Sequence, residues 1–219
     1  MKDRKYKFTD ETKEVYGTTL HRIVALKDFA GVENGDKGGW IENENNLSQY
    51  GNAWVYGNAQ VYGNARVFDN AEVYGDARVF GNAQVYGNAQ VYDNARVFGN
   101  AWVYGDARVY GNAQVYGNAR VFDNVEVYGD ARVFGNAEVY SDARVYGNAG
   151  YIVFKNFWSS GRYFTWTRSN NMWRVGCFYG TGEELIAKAY KDSEKSGREY
   201  ERVVRYVESI LADEQTENK

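Results

Sequence analysis

The side chains that most often carry enzyme chemistry are scarce in this chain. Its 219 residues include one histidine, His21, and one cysteine, Cys177. One histidine can serve as a general base, but a zinc site needs three or four ligands. A lone cysteine makes neither an internal disulfide nor a multi-Cys metal site. His21 and Cys177 fall in expected strands far apart in sequence, and both are read as structural residues. No catalytic residue, cofactor or metal is expected.

A different chemistry gathers between Tyr151 and Gly180. Lys155, Arg162, Arg168 and Arg174 lie there without an acid, among Trp158, Tyr163, Phe164, Trp166 and Trp173. Arg and Trp anchor interfaces through planarity, area and bidentate hydrogen bonds, and can also stack on bases or hold phosphate. Strand alternation places Arg162, Phe164, Trp166 and Arg168 on one face, and Tyr163, Thr165 and Thr167 on the other. The expectation is an exposed partner surface at Arg162, Trp166, Arg168, Trp173 and Arg174. The competing reading makes the aromatics the core of a small cap.

These residues need a domain to position them. Tyr151–Asn156, Arg162–Arg168 and Met172–Phe178 read as three strands. Ser159-Ser160-Gly161 and Ser169-Asn170-Asn171 supply the turns. Thr181-Gly182-Glu183-Glu184 has the spacing of a capping box and opens a short helix to about Lys191. A loop over 192–197 leads to a second helix from about Arg198 to Asp213, with a fraying tail from Glu214. Residues 151–219 are thus expected to form an α+β head that also closes one end of what precedes it.

What precedes it is a repeat. From Gly51 to Tyr146 the chain writes Gly-Asn-Ala-x-Val-Tyr/Phe sixteen times without a gap, and a degraded copy follows at Gly147–Ile152. Ala and Val are two residues apart and share a face of an extended chain; x and the aromatic share the other. The x position accepts Arg, Glu and Gln, so it faces out and Ala and Val face in. Gly-Asn is corner chemistry, since both residues tolerate positive φ. Such short strands are stable only when stacked. Residues 57–86 recur at 111–140 with two differences, Ala71/Val125 and Gln84/Glu138. The offset of 54 is three coils of 18, so the duplication leaves every residue on its face.

The phrase Val-Tyr-Gly-Asn-Ala-x resembles the hexapeptide repeat of left-handed parallel β-helices, which implies a triangular prism with three hexads per 18-residue coil. The stretch from Leu20 to Ala59 is similar to the start of uncharacterised bacterial and phage hexapeptide-repeat proteins. Many proteins of this kind are acyltransferases and some are carbonic anhydrases, and both usually place histidines in the coils. Here the coils contain none, and no hexad is interrupted by the long loop common in such transferases. The resulting expectation is a mainly β protein: an N-terminal β cap over 1–50, a β-helix over 51–150 and the α+β head over 151–219. Trp40 and Ile41 are expected to plug the open end.

The outward aromatics should stack in three columns, one of them Tyr56, Tyr74, Tyr92, Tyr110, Tyr128 and Tyr146. Rings one coil apart stabilise one another. The columns also leave more apolar area outside than a monomer usually shows. Tyr74, Tyr92, Tyr110 and Tyr128 are therefore candidates for assembling a homodimer or homotrimer.

The net charge of −3 is spread along the chain and argues against broad nucleic-acid binding. No signal peptide or apolar run of membrane length is present, so a cytoplasmic setting without membrane contact is expected. The leading functional expectation is a non-catalytic interaction protein, a rigid rod presenting the Trp/Arg head to a macromolecular partner, most simply a protein. The phage resemblance implies a factor that inhibits a host defence component. Binding of a small ligand, carbohydrate or nucleic acid is the alternative, and acyl transfer the second alternative.

Overall fold

A computed structural model describes residues 4–147, 149–156, 158 and 161–217. Of the features read from sequence, Asn148 in the degraded repeat, Ser159 and Ser160 in the first head turn, and the last two tail residues lie outside the described residues. The chain divides into two compact units, 1–150 and 151–219.

The first unit opens with strands β1 (Tyr6–Val15) and β2 (Thr18–Ala25), paired antiparallel, and β3 (Lys37–Ile41) beside β2. Asp10 and Glu11 lie within β1. The strand continues past a register shift between Phe8 and Thr12, because a bulge absorbs extra residues without ending a ladder. At the hairpin tip Tyr16 and Gly17 both have positive φ, 51° and 78°, the pairing that a two-residue primed turn requires.

β3 then pairs in parallel with the first repeat strand on its sheet, Trp40 opposite Gln60 and Ile41 opposite Val61. Leu47 bridges to Val67. Ile41 and Leu47 are fully buried and extend the valine columns, so the solenoid starts about ten residues before its repeat becomes visible. Trp40 is not a core plug; it lies in the outward x row. The large plug is Trp54, at the x position of the first hexad. It is 1% exposed beneath Tyr6 and Phe29, whose ring centres lie 6.1 and 5.3 Å away. Lys5, also buried, donates from Nζ to the Ala53 carbonyl at 2.7 Å. Burial, reinforced by Lys27, brings its pKa down to about 8.

Along the repeat each x–Val pair forms a short strand, of two residues except at Glu126–Tyr128 and Arg144–Tyr146, which have three. Each strand bonds to its counterparts eighteen residues before and after, giving three parallel sheets and about six coils. The ladder is regular: Arg78 N–H donates to the Ala95 carbonyl at 2.9 Å and Phe80 N–H to the Val97 carbonyl at 3.0 Å. Every repeat valine and alanine is at most 1% exposed, so the assignment of inner and outer faces holds. Corner glycines carry φ between 56° and 72°, and Asp69, Asp93, Asp123 and Ser141 keep the same conformation where glycine is replaced. Coils approach so closely there that a Cβ on Gly105 would lie 2.7 Å from the Asp123 nitrogen. Beside the corners, amides form a ladder in which Asn64, Asn82, Asn100 and Asn118 each donate to the next asparagine at 3.0–3.2 Å.

The second unit is an antiparallel sheet of Tyr151–Lys155, Tyr163–Thr167, Met172–Val175 and Phe178–Gly180, with helices α1 (Gly182–Asp192) and α2 (Glu194–Glu217). The fourth strand is short and was not visible as a separate period; Gly176, at φ 57°, turns the chain into it. The Thr181/Glu184 capping box forms as its spacing predicts. The expected loop over 192–197 shrinks to Ser193. Gly197 lies inside α2 against the Tyr190 ring, where any Cβ would clash. Here glycine permits a tight helix crossing rather than marking a loop. Nor does the tail fray at Glu214: α2 continues to Glu217.

Candidate binding surfaces

The head residues expected to form one surface are split by the structure. Trp166 and Trp173 are 1% and 2% exposed and sit opposite each other in neighbouring strands. With Phe164 and Val175 they form the sheet face on which Leu185, Ile186, Val204 and Val207 pack. The shared face was read correctly, but it is covered by the two helices, so these tryptophans cannot anchor a partner. The Trp166 indole N–H donates to Asn171 at 2.8 Å, which satisfies the one polar group buried with it.

Arg162 and Arg168 are exposed and Arg174 half-buried. Arg168 is not unopposed. Both terminal guanidinium nitrogens donate to Glu214 at 2.8 Å, which holds the arginine's pKa above and the carboxylate's pKa below their ordinary values. Sequence distance hid this pair, since its acid lies 46 residues away. Cys177 is exposed. His21 is stacked on Phe8 with ring centres 4.9 Å apart.

In the solenoid the aromatic columns form as expected. Tyr74, Tyr92, Tyr110 and Tyr128 stack successively at 4.7, 4.9 and 5.2 Å with ring planes within 7°. The column beginning Tyr62, Phe80, Phe98 and Tyr116 stacks at 4.8–5.1 Å. Parallel rings bury one another's faces and leave edges outside, so rings inside the columns are half-buried rather than exposed. Phe134 and Tyr146, at 50% and 66% exposure, lie at the ends of their columns. The apolar outer area is accordingly smaller than a count of rings suggests.

Burial raises the pKa of Tyr62, Tyr74, Tyr86, Tyr92 and Tyr110, and brings Tyr56 and Tyr104 up to about 12. A raised folded pKa gives stability that is complete below the unfolded value of about 10 and is lost as pH climbs through the folded values. Lys5 acts in the opposite sense. Its lowered pKa costs stability at and below about 8, and that cost is relieved as pH rises towards the ordinary lysine value. The melting temperature should therefore rise slightly above pH 8 and fall steeply beyond about 10. Tyrosinate absorbance at 295 nm should lag behind that of a free tyrosine amide; coincident titration curves would contradict the stacked environment.

The outward x rows differ among the three sheets. One reads Trp54, Glu72, Gln90, Arg108, Glu126, Arg144, and Arg108 and Arg144 approach Glu126 at 3.8 and 3.5 Å. Another reads Arg66, Gln84, Trp102, Arg120, Glu138, with Arg120 at 3.7 Å from Glu138 and over the Trp102 ring. The third reads Trp40, Gln60, Arg78, Arg96, Gln114, Arg132 and contains no acid. A cleft of about 630 Å³ lies against Tyr50, Asn64, Arg66 and Phe68. Much of its remaining polar wall is already committed: Asn43 caps a 3-10 turn and Glu44 pairs with Arg4 at 2.9 Å.

The fold and its outward ladders define a hexapeptide-repeat protein of the parallel β-solenoid class. Residues 59–73, 71–87, 89–105 and 113–125 match the family model described as the YdcK beta solenoid repeat. A further similarity is to the "Uncharacterized acetyltransferase YdcK" of Escherichia coli strain K12. It is 39% identical over 61 residues, covering 24% of this chain and 19% of that protein. The likeness therefore reaches only a fifth of the relative's length. No helix is long and apolar enough to cross a membrane among the described residues.

Proposed function

We propose that this is a non-catalytic interaction protein, a rigid solenoid whose outer rows engage a macromolecular partner. The observation that supports it best is the uninterrupted register of those rows: strands follow one another every six residues from Trp54 to Tyr146, and none is displaced by an inserted loop that would wall a catalytic cleft. Rigid, pre-formed surfaces lose little entropy on binding. In the head, Arg162, Arg168 and Arg174 remain the residues to test, without the two tryptophans. A partner drawn from a host defence system rests on the sequence resemblance alone.

Acyl transfer is the second reading, favoured by the name of the YdcK relative. Release of free CoA from acetyl-CoA, measured with a panel of amine and hydroxyl acceptors, separates the two. The expected result is no release above the protein-free rate, from the parent or from His21→Ala. Turnover that His21→Ala abolishes in a folded protein would establish the enzyme instead. For the interaction reading, the full chain should retain a defined protein from lysate. Arg162→Glu with Arg168→Glu tests whether the head contributes to that retention.

A further inference from the structure

Three polar atoms without a hydrogen-bond partner lie side by side where the acid-free row meets the N-terminal hairpin. Arg22 faces Trp40, and Trp40 faces Gln60 across consecutive strands. Arg22 Nε, Trp40 Nε1 and Gln60 Oε1 are all buried and unpaired, and Gln60 as a residue is 8% exposed. One such atom in a folded protein is destabilising; three adjacent ones point to something that normally meets them.

The surroundings identify the charge of that partner. Lys13 Nζ sits 4.5 Å from the Trp40 ring centre and the Arg22 guanidinium 5.0 Å. Arg78, next in the row after Gln60, donates to the Tyr16 hydroxyl at 3.4 Å. Neither Lys13, Arg22 nor Arg78 forms an ion pair among the described residues. Of the neighbouring acids, Glu11 is committed to Lys37 at 2.5 Å. Asp76 acts on Lys13 electrostatically without reaching ion-pair distance. The Lys13 ammonium is destabilised first by burial and then by Arg22 and Arg78, which places the three cations in one field. In the other two rows Arg108, Arg120 and Arg144 each approach a glutamate, so this accumulation is not a general property of the repeat.

We propose that Lys13, Arg22, Trp40, Gln60 and Arg78, with the Tyr16 hydroxyl, form a binding site for the phosphoryl group of a small ligand. Arg22 and Trp40 offer N–H donors to a ligand that displaces the long Lys13 side chain lying over the Trp40 ring, and turning the Gln60 amide over replaces its oxygen with a third. A wall of donors with three positive charges suits a phosphate dianion or pyrophosphate better than one carboxylate, which would leave two charges unmatched. Cations lie against the Trp40 ring, so the site selects the anion and not an aromatic base. It goes beyond the interaction role, because it uses the N-terminal hairpin and not the repeated rows alone.

Calorimetry and thermal shift with sodium pyrophosphate, inorganic phosphate and citrate at matched ionic strength test this. Pyrophosphate should raise the melting temperature and bind with Kd below about 1 mM, with inorganic phosphate weaker and citrate weakest. If inorganic phosphate equals pyrophosphate, the site takes the free ion; if pyrophosphate is preferred, it takes a phosphorylated compound. Lys13→Gln with Arg78→Gln should weaken binding at least tenfold. Arg96→Gln with Arg132→Gln, farther along the same sheet, should change it less than about twofold, since each removes equal net charge. Without ligand, the Lys13/Arg78 variant should melt no lower than the parent, because like charges are removed. The proposal is overturned by no shift at about 10 mM pyrophosphate, by equal loss in both double variants, by citrate matching pyrophosphate, or by a ligand-free variant that melts lower.

Discussion

Replacing Val97 with aspartate unfolds the solenoid at neutral pH. Val97 is 0% exposed and sits mid-column, its strand paired in register with Val79 on one side and Val115 on the other. The interior around it is built of valine and alanine, and no inward side chain of the repeat can donate a hydrogen bond. A carboxylate there must either ionise in an apolar core or keep its proton. Once the folded pKa is pushed to about 7 or above, keeping the carboxyl protonated costs about 4 kcal/mol at pH 7, and burying the protonated group without a hydrogen-bond partner adds to that. A domain's whole stability is about 5–15 kcal/mol. Position adds to the cost. In a solenoid each coil is held by its neighbours, so a broken central coil leaves two short stacks, each with a newly open end. The raised carboxyl pKa also fixes the sign with pH: the penalty is smallest in acid and grows as pH rises through about 4. Urea unfolding followed by circular dichroism measures the effect. Val97→Thr, of similar shape with a buried hydroxyl, should lose only about 1–3 kcal/mol. A Val97→Asp protein that melts with the parent at pH 7 would reverse the assignment of inner and outer faces.

That assignment was legible because the repeat states it sixteen times. The x position tolerates Arg, Gln and Glu while Ala and Val barely vary, and only one arrangement of faces satisfies both. Where the sequence is not repetitive, periodicity told which residues share a face but not what covers it. Trp54 stands in an outward row and is buried because Tyr6 and Phe29 lie over it. Trp166 and Trp173 share a face as alternation requires, yet α1 and α2 cover that face. Arg168 looked unopposed until Glu214 met it from the last turns of α2. In each case a segment distant in sequence decides exposure, and no local pattern encodes its arrival. The row of Arg22, Trp40 and Gln60 was hidden for the same reason, since β2, β3 and the repeat meet there only after folding.

The tyrosine column tests whether the outer rings serve the fold or an assembly. Tyr74→Ser, Tyr92→Ser and Tyr110→Ser together remove the stacks at 4.7, 4.9 and 5.2 Å and the edge contact of Tyr74 with Tyr56 at 6.4 Å. At about 0.5–1.5 kcal/mol for each of the four ring pairs, the expected loss is about 2–6 kcal/mol. Backbone ladders and the valine core are untouched, so the protein should remain folded with a lower urea midpoint. The corresponding triple change at Tyr62, Phe80 and Phe98 removes an equivalent stack from the sheet that carries Trp40. If both columns act only as ladders, the two variants lose similar stability and neither changes molecular mass by light scattering. If the column of Tyr74 is also an interface, its variant alone dissociates, because ring edges left outside the stack are what a second copy would bury. Unchanged stability in both variants would show that the stacked rings contribute nothing beyond the backbone, contrary to the half-buried state in which each is held.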